Sequence, residues 1–389
     1  MSEPMRILCL NYEYPPVGGG GGRVAHRINA ELVKRGHSVL VHTAGLKHLP
    51  AREVVDGVDV RRTPSFRKRE DTCTVPEMAL YIATNLLPTI RLIRAWKPDV
   101  LHVHFAVPAG VVAWLASRFT RVPYVLTAHL GDVPGGVPEQ TAALFRFVEP
   151  FTRPIWKHAA AVTTVSTFVA NLAEKAYRRR PEIILNGITL GPRPTIEIRS
   201  PARLVMVGRL SVQKNPLLAI RALALVQDLP WEFHVIGDGP LRLEMEAEAR
   251  SLGISSRIQF HGWLDGLAVA ERMATAEIFL LSSTSEGLPM AAIEALDKGL
   301  AIVSSRIDGM ADVVEDGVNG RLCELTPESF AAAVRELLSN PDRLQNCRQA
   351  SSELAQKFDL NRSIDAYEAT LRKHASRGHS QTPAGSKGA

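Results

Sequence analysis

Two glutamates eight positions apart, Glu286 and Glu294, lie in the segment Ser285-Glu286-Gly287-Leu288-Pro289-Met290-Ala291-Ala292-Ile293-Glu294. A carboxylate accepts hydrogen bonds from sugar or ribose hydroxyls, and the small neighbours let a ligand come close. A second segment, Gly208-Arg209-Leu210-Ser211-Val212-Gln213-Lys214-Asn215-Pro216, carries two cations. Asn215 and Pro216 fit the cap and first position of a helix. Lys214 therefore stands just before a helix N-terminus and Arg209 just after a strand, a placement that suits a diphosphate and its charge on departure. Near the start, Gly18 to Gly22 are five consecutive glycines joining a strand to a helix. Backbone amides without side chains can approach a phosphate there, as the amides of Gly19 and Gly20 would. A dinucleotide loop is disfavoured, because Arg23 holds the third glycine position and His42-Thr43 end the second strand without an acid. A fourth candidate is His129 in Thr127-Ala128-His129-Leu130-Gly131-Asp132, after a strand end; a hydrogen-bonded core histidine is the alternative there.

These residues need elements to position them. Residues 6–11 read as a buried strand and 12–22 as a loop. Val24, Ile28, Leu32 and Val33 share one face of a helix over 23–35, with Gly36 past its end, and 38–43 form a second strand. Strands are predicted again at 99–105, 124–128, 161–165 and 183–185, with helices at 111–118, 151–158 and 167–177. Residues 186–201 read as a linker. After it the alternation restarts, with strands at 204–207, 232–236, 258–261, 278–282 and 301–304 and helices at 216–225, 241–251 and 290–298. Three more helices are predicted at 327–338, 343–358 and 361–373. Alternating strands and helices indicate mainly parallel sheets. The expected fold class is therefore α/β, with two Rossmann-like doubly wound domains facing across a cleft. The first domain would cover 1–190 and the second 191–355. A helix over 356–373 would pack back on the first domain, and 374–389 would be a disordered tail.

The chain has 389 residues, 46% of them hydrophobic and 22% charged, enough for two cores. Cys9, Cys73, Cys323 and Cys347 show no C-x-x-C spacing and suggest neither a metal nor a redox motif. The N-terminal apolar run, 7–10, is too short for a signal peptide, and no run reaches the roughly 18 apolar residues of a spanning helix. A cytoplasmic protein is expected, with peripheral contact at the inner membrane face left open. The net charge is +6, and residues 1–190 hold 24 Lys/Arg against 15 Asp/Glu, a balance of +9. The clusters Arg61-Arg62, Arg67-Lys68-Arg69 and Arg178-Arg179-Arg180 read either as a solvated face or as a contact for an anionic lipid head group or phosphorylated acceptor. They lack interleaved aromatics and no nucleic-acid-binding motif is visible, which argues against a nucleic-acid partner.

The glycine loop, the G-R-L-x-x-x-K-N segment and the E-x7-E element, in this order, resemble the retaining glycosyltransferase family 4, of two-domain GT-B architecture. The resemblance spans the chain from the glycine loop to Phe358. It implies transfer of a hexosyl unit from a nucleoside-diphosphate sugar, UDP- or GDP-linked, to a hydroxyl of a glycan, lipid-linked or small-molecule acceptor. Arg209 and Lys214 would hold the diphosphate, Glu294 the ribose, and Glu286 with the amides of Gly287 and Leu288 the sugar. Gly237-Asp238-Gly239-Pro240 matches a family turn, and Gly208 begins the diphosphate segment. Trp263 in His261-Gly262-Trp263-Leu264 stands where the base packs, and His129 would be catalytic or sugar-contacting. Leu130 is inserted where the family commonly has His-Gly-Asp, and Thr189 stands where an Asp is common. No cofactor beyond the co-substrate is implied, and the absence of a D-x-D triplet argues against a bound metal. Two rivals are an epimerase or hydrolase on the same architecture, and a non-catalytic sugar-nucleotide-binding protein.

Overall fold

The computed structural model describes residues 3–70, 73–136 and 152–376. The chain forms two compact units: Met1–Val165, Val169–Ile184 and Ile364–Ala389 make the first, and Ser166–Phe168 with Leu185–Ser363 make the second.

The first unit holds an eight-stranded sheet of order β3-β4-β2-β1-β5-β6-β7-β8. Its strands are β1 (Arg6–Leu10), β2 (Ser38–Gly45), β3 (Arg52–Val55), β4 (Val58–Pro64), β5 (Val100–His104), β6 (Tyr124–Ala128), β7 (Ala161–Thr164) and β8 (Glu182–Ile183). Among the described residues β3 alone pairs antiparallel, with β4. The helices are α1 (Gly20–Lys34), α2 (Val75–Trp96), α3 (Val111–Thr120), α4 (152–158) and α5 (Thr167–Tyr177). β1 and β5 are buried almost throughout, as an apolar run sandwiched by helices must be. Gly36 closes α1 in the left-handed region at φ 91°, where its amide meets the Val33 carbonyl at 2.9 Å.

The second unit holds a six-stranded parallel sheet of order β11-β10-β9-β12-β13-β14. Its strands are β9 (Ala202–Val207), β10 (Trp231–Ile236), β11 (Ile258–Gly262), β12 (Ile278–Leu281), β13 (Ala301–Ser305) and β14 (Gly320–Cys323). Its helices are α6 (Pro216–Ala224), α7 (Arg242–Ser251), α8 (Gly266–Ala274), α9 (Met290–Asp297), α10 (Pro327–Leu338) and α11 (Pro341–Leu354). β9 and β12 sit side by side although 70 residues of chain lie between the end of one and the start of the other, which places the loops after both strands together at one sheet edge.

Several details differ from the periodicity. The chain leaves the first unit between Ile184 and Leu185, earlier than the 190/191 boundary, because Ile188 already pairs with Asp359 inside the second. The helix expected over 343–358 ends at Leu354 and gives way to a 3₁₀ turn over Ala355–Phe358. The last helix, α12 (Leu360–His374), belongs to the first unit from Ile364 onward. His374 still lies in α12, and the Ser376 amide donates to the Asp99 carbonyl at 2.8 Å, so the tail expected to be disordered from 374 is ordered to that point. Residues 377–389 and Phe151 lie outside the described residues. Between 44 and 98, where no periodic signal stands out, the chain builds β3, β4 and the 22-residue helix α2.

Candidate functional site

At the carboxyl edge of the second unit's sheet, four loops are laced together by their backbones. Gly208 (φ 147°) follows β9 and donates its amide to Ile236 at 2.9 Å, while the Leu210 amide donates to the Asp238 carbonyl at 2.9 Å. Gly237 (φ 127°) follows β10, and a Cβ built on it would stand 2.0 Å from the Gly208 carbonyl oxygen. No other residue fits that crossing. The Gly237 amide in turn donates to the Gly262 carbonyl at the end of β11, at 2.8 Å. Trp263 follows directly and is 64% exposed, so its ring presents a bare apolar face beside this edge.

Lys214 ends a short 3₁₀ turn, Val212–Lys214. Asn215 then adopts the left-handed conformation at φ 44° and makes no side-chain cap, although Pro216 does begin α6. The Ser282 hydroxyl satisfies the turn instead, donating to the Lys214 carbonyl at 3.1 Å and the Asn215 carbonyl at 2.8 Å. The Gln213 amide side chain donates to the Ser285 carbonyl at 2.9 Å. Loop 211–215 and loop 282–286 are thus one assembly. Within it the Lys214 ammonium donates to Oε1 of Glu286, and the Ser283 hydroxyl donates to the same oxygen at 2.6 Å. Glu286 is buried and Lys214 half-buried. Gly309 packs so tightly against Glu286 that an added Cβ would fall 1.8 Å from the Glu286 carbonyl oxygen. Arg209 is exposed after β9. Gly287 and Leu288 continue the loop, Leu288 buried in the core. Pro289 takes the cap position of α9, and Glu294 stands half-buried in the second turn of that helix.

In the first unit, the glycine loop carries an occupant of its own. The Gly19 amide, at the cap of α1, donates to Oε2 of Glu13 at 3.1 Å. The other carboxylate oxygen of Glu13 is 3.8 Å from the Arg67 guanidinium, and the Gly18 amide donates to the Glu70 carbonyl at 2.7 Å. Gly19 and Gly20 have open space where a Cβ would stand, whereas one on Gly21 would meet the Phe105 ring at 2.4 Å. An acid thus sits where the sequence leaves only bare amides, and a ligand oxygen at Gly19 has to replace it.

His129 ends β6 next to the end of β5. Its Nε2 lies 3.3 Å from Nδ1 of His104, and its ring stacks on Phe105 with centroids 4.5 Å apart. His104 Nε2 is buried with no partner among the described residues. Burial holds the His129 imidazole down to about 4. Burial, with the neighbouring His129, holds His102 down to about 3, and His104 lies well below the ordinary value for the same reason. His129 is a neutral hydrogen-bonding group at neutral pH, not an acid. Asp132 fixes this corner: its carboxylate accepts the His129 amide at 2.8 Å and the Ala106 amide at 2.7 Å, and burial pushes it up to about 7.

The basic clusters divide. Arg62 is buried and bonds Glu53 at 2.6 Å and the Pro15 carbonyl at 2.9 Å. Arg67 is buried and donates to the carbonyls of Arg69 at 2.8 Å and Glu70 at 3.1 Å. Arg179 donates to the carbonyls of Trp156 and Ala159. These three tie down backbone, which corrects the expectation of clusters that face a ligand as a whole; Lys68, Arg69, Arg178 and Arg180 stay exposed. Among the described residues no group of His, Cys, Asp and Glu is arranged to hold a metal, and no helix is long and apolar enough to cross a membrane.

Glu13, His104 and Gly309 carry no motif signal, because each acts through a partner after a different strand; Ser283 acts within its own loop, on Glu286, and no motif singles it out.

Residues 194–354 match the family described as glycosyl transferases group 1, and residues 19–187 match the glycosyl transferase 4-like domain. A glycogen synthase of Mycobacterium tuberculosis is 30% identical over 385 residues, 91% of each chain. A 2-deoxystreptamine glucosyltransferase of Streptomyces kanamyceticus is 26% identical, over 89% of this chain and 98% of its own. Among solved structures, the sucrose-phosphate synthase of Thermosynechococcus elongatus superposes with a TM-score of 0.81 at 17% identity, over 95% of this chain and 99% of its own. HepE of Anabaena, crystallised with UDP and glucose, superposes with a TM-score of 0.75 at 20% identity, over 95% and 100%. The similarity runs through both units, and the chain belongs to the group 1 glycosyltransferases of the family 4 type, with their GT-B fold of two Rossmann-like domains.

Proposed function

We propose that the protein transfers a hexosyl unit from a nucleoside-diphosphate sugar, UDP- or GDP-linked, to an acceptor hydroxyl with retained anomeric configuration. The observation that carries this reading is the Lys214–Glu286–Ser283 cluster at the carboxyl edge of the second unit's sheet. Arg209 and Lys214 would bind the diphosphate and offset the charge that builds on it as the glycosidic bond breaks. Glu286, fixed by Ser283 and Lys214, would accept from a sugar hydroxyl, with the amides of Gly287 and Leu288 donating beside it. Glu294 would accept from the ribose hydroxyls, and the exposed Trp263 ring would stack on the base. Gly208 and Gly237 give the pyrophosphate room to approach backbone. In the first unit His129 would hydrogen-bond a substrate hydroxyl, and the open amides at Gly19 and Gly20 would meet phosphate once Glu13 turns away.

No metal takes part in this reading. Two cations stand where a metal would otherwise bridge the phosphates, and excess chelator would leave the rate unchanged. UDP and UDP-glucose are bound by HepE in its crystal structures, which supports a nucleotide sugar here. A glycan, lipid-linked or small-molecule hydroxyl would accept the sugar.

The test is a thermal-shift screen of nucleoside diphosphates and their sugars, followed by turnover with acceptor hydroxyls. A ligand at 100 times its Kd stabilises the fold by about 2.7 kcal/mol. No shift with any of them sinks the reading. An altered sugar formed from donor alone would instead reveal an epimerase or hydrolase, and tight binding without turnover a non-catalytic binding protein.

A further inference from the structure

Helix α2 has two apolar faces. One packs inward, burying Tyr81, Asn85, Thr89, Ile90 and Ile93. The other has no cover among the described residues. Pro76, Leu80, Ala83, Leu87, Arg91 and Arg94 follow one another at spacings of three and four and are all exposed. Leu87 is 52% exposed, and Val75, at the start of the helix, 53%. The stripe runs about 27 Å at 1.5 Å per residue.

Charge is arranged along this stripe with one sign. Arg91, Arg94 and the exposed Lys97 lie at its C-terminal end. The N-terminal end adjoins the loop of Phe66, Lys68 and Arg69, because the Lys68 amide donates to Oε1 of Glu77 at 3.0 Å. Phe66 is 64% exposed, and Lys68, Arg69 and one acid, Glu70, are exposed with it, the Glu70 carboxylate lying 2.9 Å from Nε2 of His48. Glu77 is the only acid in α2. Its Oε2 accepts the Thr74 amide at 2.7 Å and the Thr74 hydroxyl at 2.8 Å, so its charge is turned into the helix cap and not out along the stripe.

We propose that this outer face of α2 docks the protein on an anionic lipid surface. An apolar strip between two cationic ends is what a bilayer interface accommodates: the leucines enter the boundary between head groups and acyl chains, and the cations meet phosphates on either side. Four apolar residues in line from Pro76 to Leu87, left bare to water beside Val75 and Phe66, mark an interaction surface. A second copy of this chain would bring like charges against both ends. The docking surface shares no residue with those assigned to donor binding, and it does not depend on which sugar moves.

The experiment is co-sedimentation of the full chain with vesicles of phosphatidylglycerol and phosphatidylcholine, and with vesicles of phosphatidylcholine alone, without any sugar nucleotide. The expected result is binding to the anionic vesicles that weakens as salt rises, and little to the neutral ones. Leu87→Asp, and separately Arg91→Glu with Arg94→Glu, each weaken it by at least about tenfold. Arg178→Glu with Arg180→Glu, on a different cluster, leaves it unchanged, and melting curves confirm that each variant folds. Failure of the native chain to bind anionic vesicles overturns the proposal. So does binding that both α2 variants retain, or a concentration-dependent dimer in analytical ultracentrifugation that Leu87→Asp abolishes. Any of these results leaves the glycosyl-transfer reading standing, since that rests on turnover.

Discussion

Lys214 and Glu286 are ion-paired through a single oxygen, Oε1, which also accepts the Ser283 hydroxyl at 2.6 Å. The sequence separates the two residues by 72 positions and assigns them to different parts of a ligand. Their pairing joins those assignments: the ammonium offered to a diphosphate is already shared with the carboxylate offered to the sugar. On the proposed function, an arriving diphosphate would compete for Lys214, and its departure would return Lys214 to Glu286.

This sharing separates ground-state binding from catalysis. Glu286→Gln removes the competing charge while keeping most of the shape. Opposite charges 4 Å apart attract by about 1 kcal/mol in water and several times that in a half-buried site. The affinity for a nucleoside diphosphate should therefore rise by about tenfold in isothermal titration, while kcat with the full donor falls. Lys214→Ala should weaken the diphosphate and lower kcat by about a hundredfold to a thousandfold, the range seen when one donor to a developing anion is lost. If Glu286→Gln weakens the diphosphate as much as Lys214→Ala does, the pair does not share its charge in this way.

The five glycines should respond unequally. Gly20 opens α1 into empty space, so Gly20→Ala should leave the melting temperature unchanged or slightly raised, a gain of about 0.4–1 kcal/mol. A Cβ on Gly22 would stand 2.8 Å from the backbone carbonyl of Glu13, so Gly22→Ala should cost about 1–3 kcal/mol. Urea melts of the two variants would decide it. Equal stability in both would mean the loop gives way more easily than its contacts imply.

The histidine corner predicts a pH dependence of stability. His129 and His42 are held down to about 4 and His102 to about 3, all by burial, with His104 lower than the ordinary value as well. Unfolded, each would take up a proton near 6.5. Between pH 6.5 and 4 the unfolded state therefore binds more protons, so stability is complete above about 6.5 and falls with acid. Each histidine adds a slope of up to about 1.4 kcal/mol per pH unit. Asp132, raised to about 7 by burial, works the other way, since its folded form holds the proton longer. One such acid against several histidines leaves the net slope positive with pH. The melting temperature should fall steadily from pH 7 to 5, and a flat profile would contradict it.

The parts legible in the sequence are those where a short segment contains its own geometry. Gly208 to Pro216 is strand, loop and helix start in nine residues, so Arg209 and Lys214 could be placed at a sheet edge without coordinates. Glu294 on α9 followed for the same reason. What escaped depends on partners far along the chain. Gly309 is needed because it touches Glu286, and Glu13 matters because Arg67 and Gly19 meet it. Helix α2 escaped for a different reason. Its leucines and isoleucines lie on both faces, so no single apolar stripe stands out at helical spacing, and Pro76 and Pro88 break the pattern further. The exposed stripe that hides the helix from periodicity is the one proposed to meet lipid.

Arg67 supplies the last prediction, and it corrects the reading of Arg67-Lys68-Arg69 as one ligand-facing cluster. The Arg67 guanidinium is buried, donates to carbonyls of Arg69 and Glu70, and stands over the Tyr12 ring at 5.7 Å. Arg67→Met would leave those carbonyls and the Glu13 carboxylate without their cation in a closed space. Breaking a buried pair by removing one partner costs about 3–5 kcal/mol. Lys68→Glu with Arg69→Glu alters only exposed side chains and should cost less than about 1 kcal/mol. A variant that changes all three residues together therefore reports on folding before it reports on any acceptor or membrane. Chemical denaturation of Arg67→Met beside the Lys68→Glu, Arg69→Glu pair separates the two effects, and equal midpoints would show that the Arg67 tether does not hold the glycine loop in place.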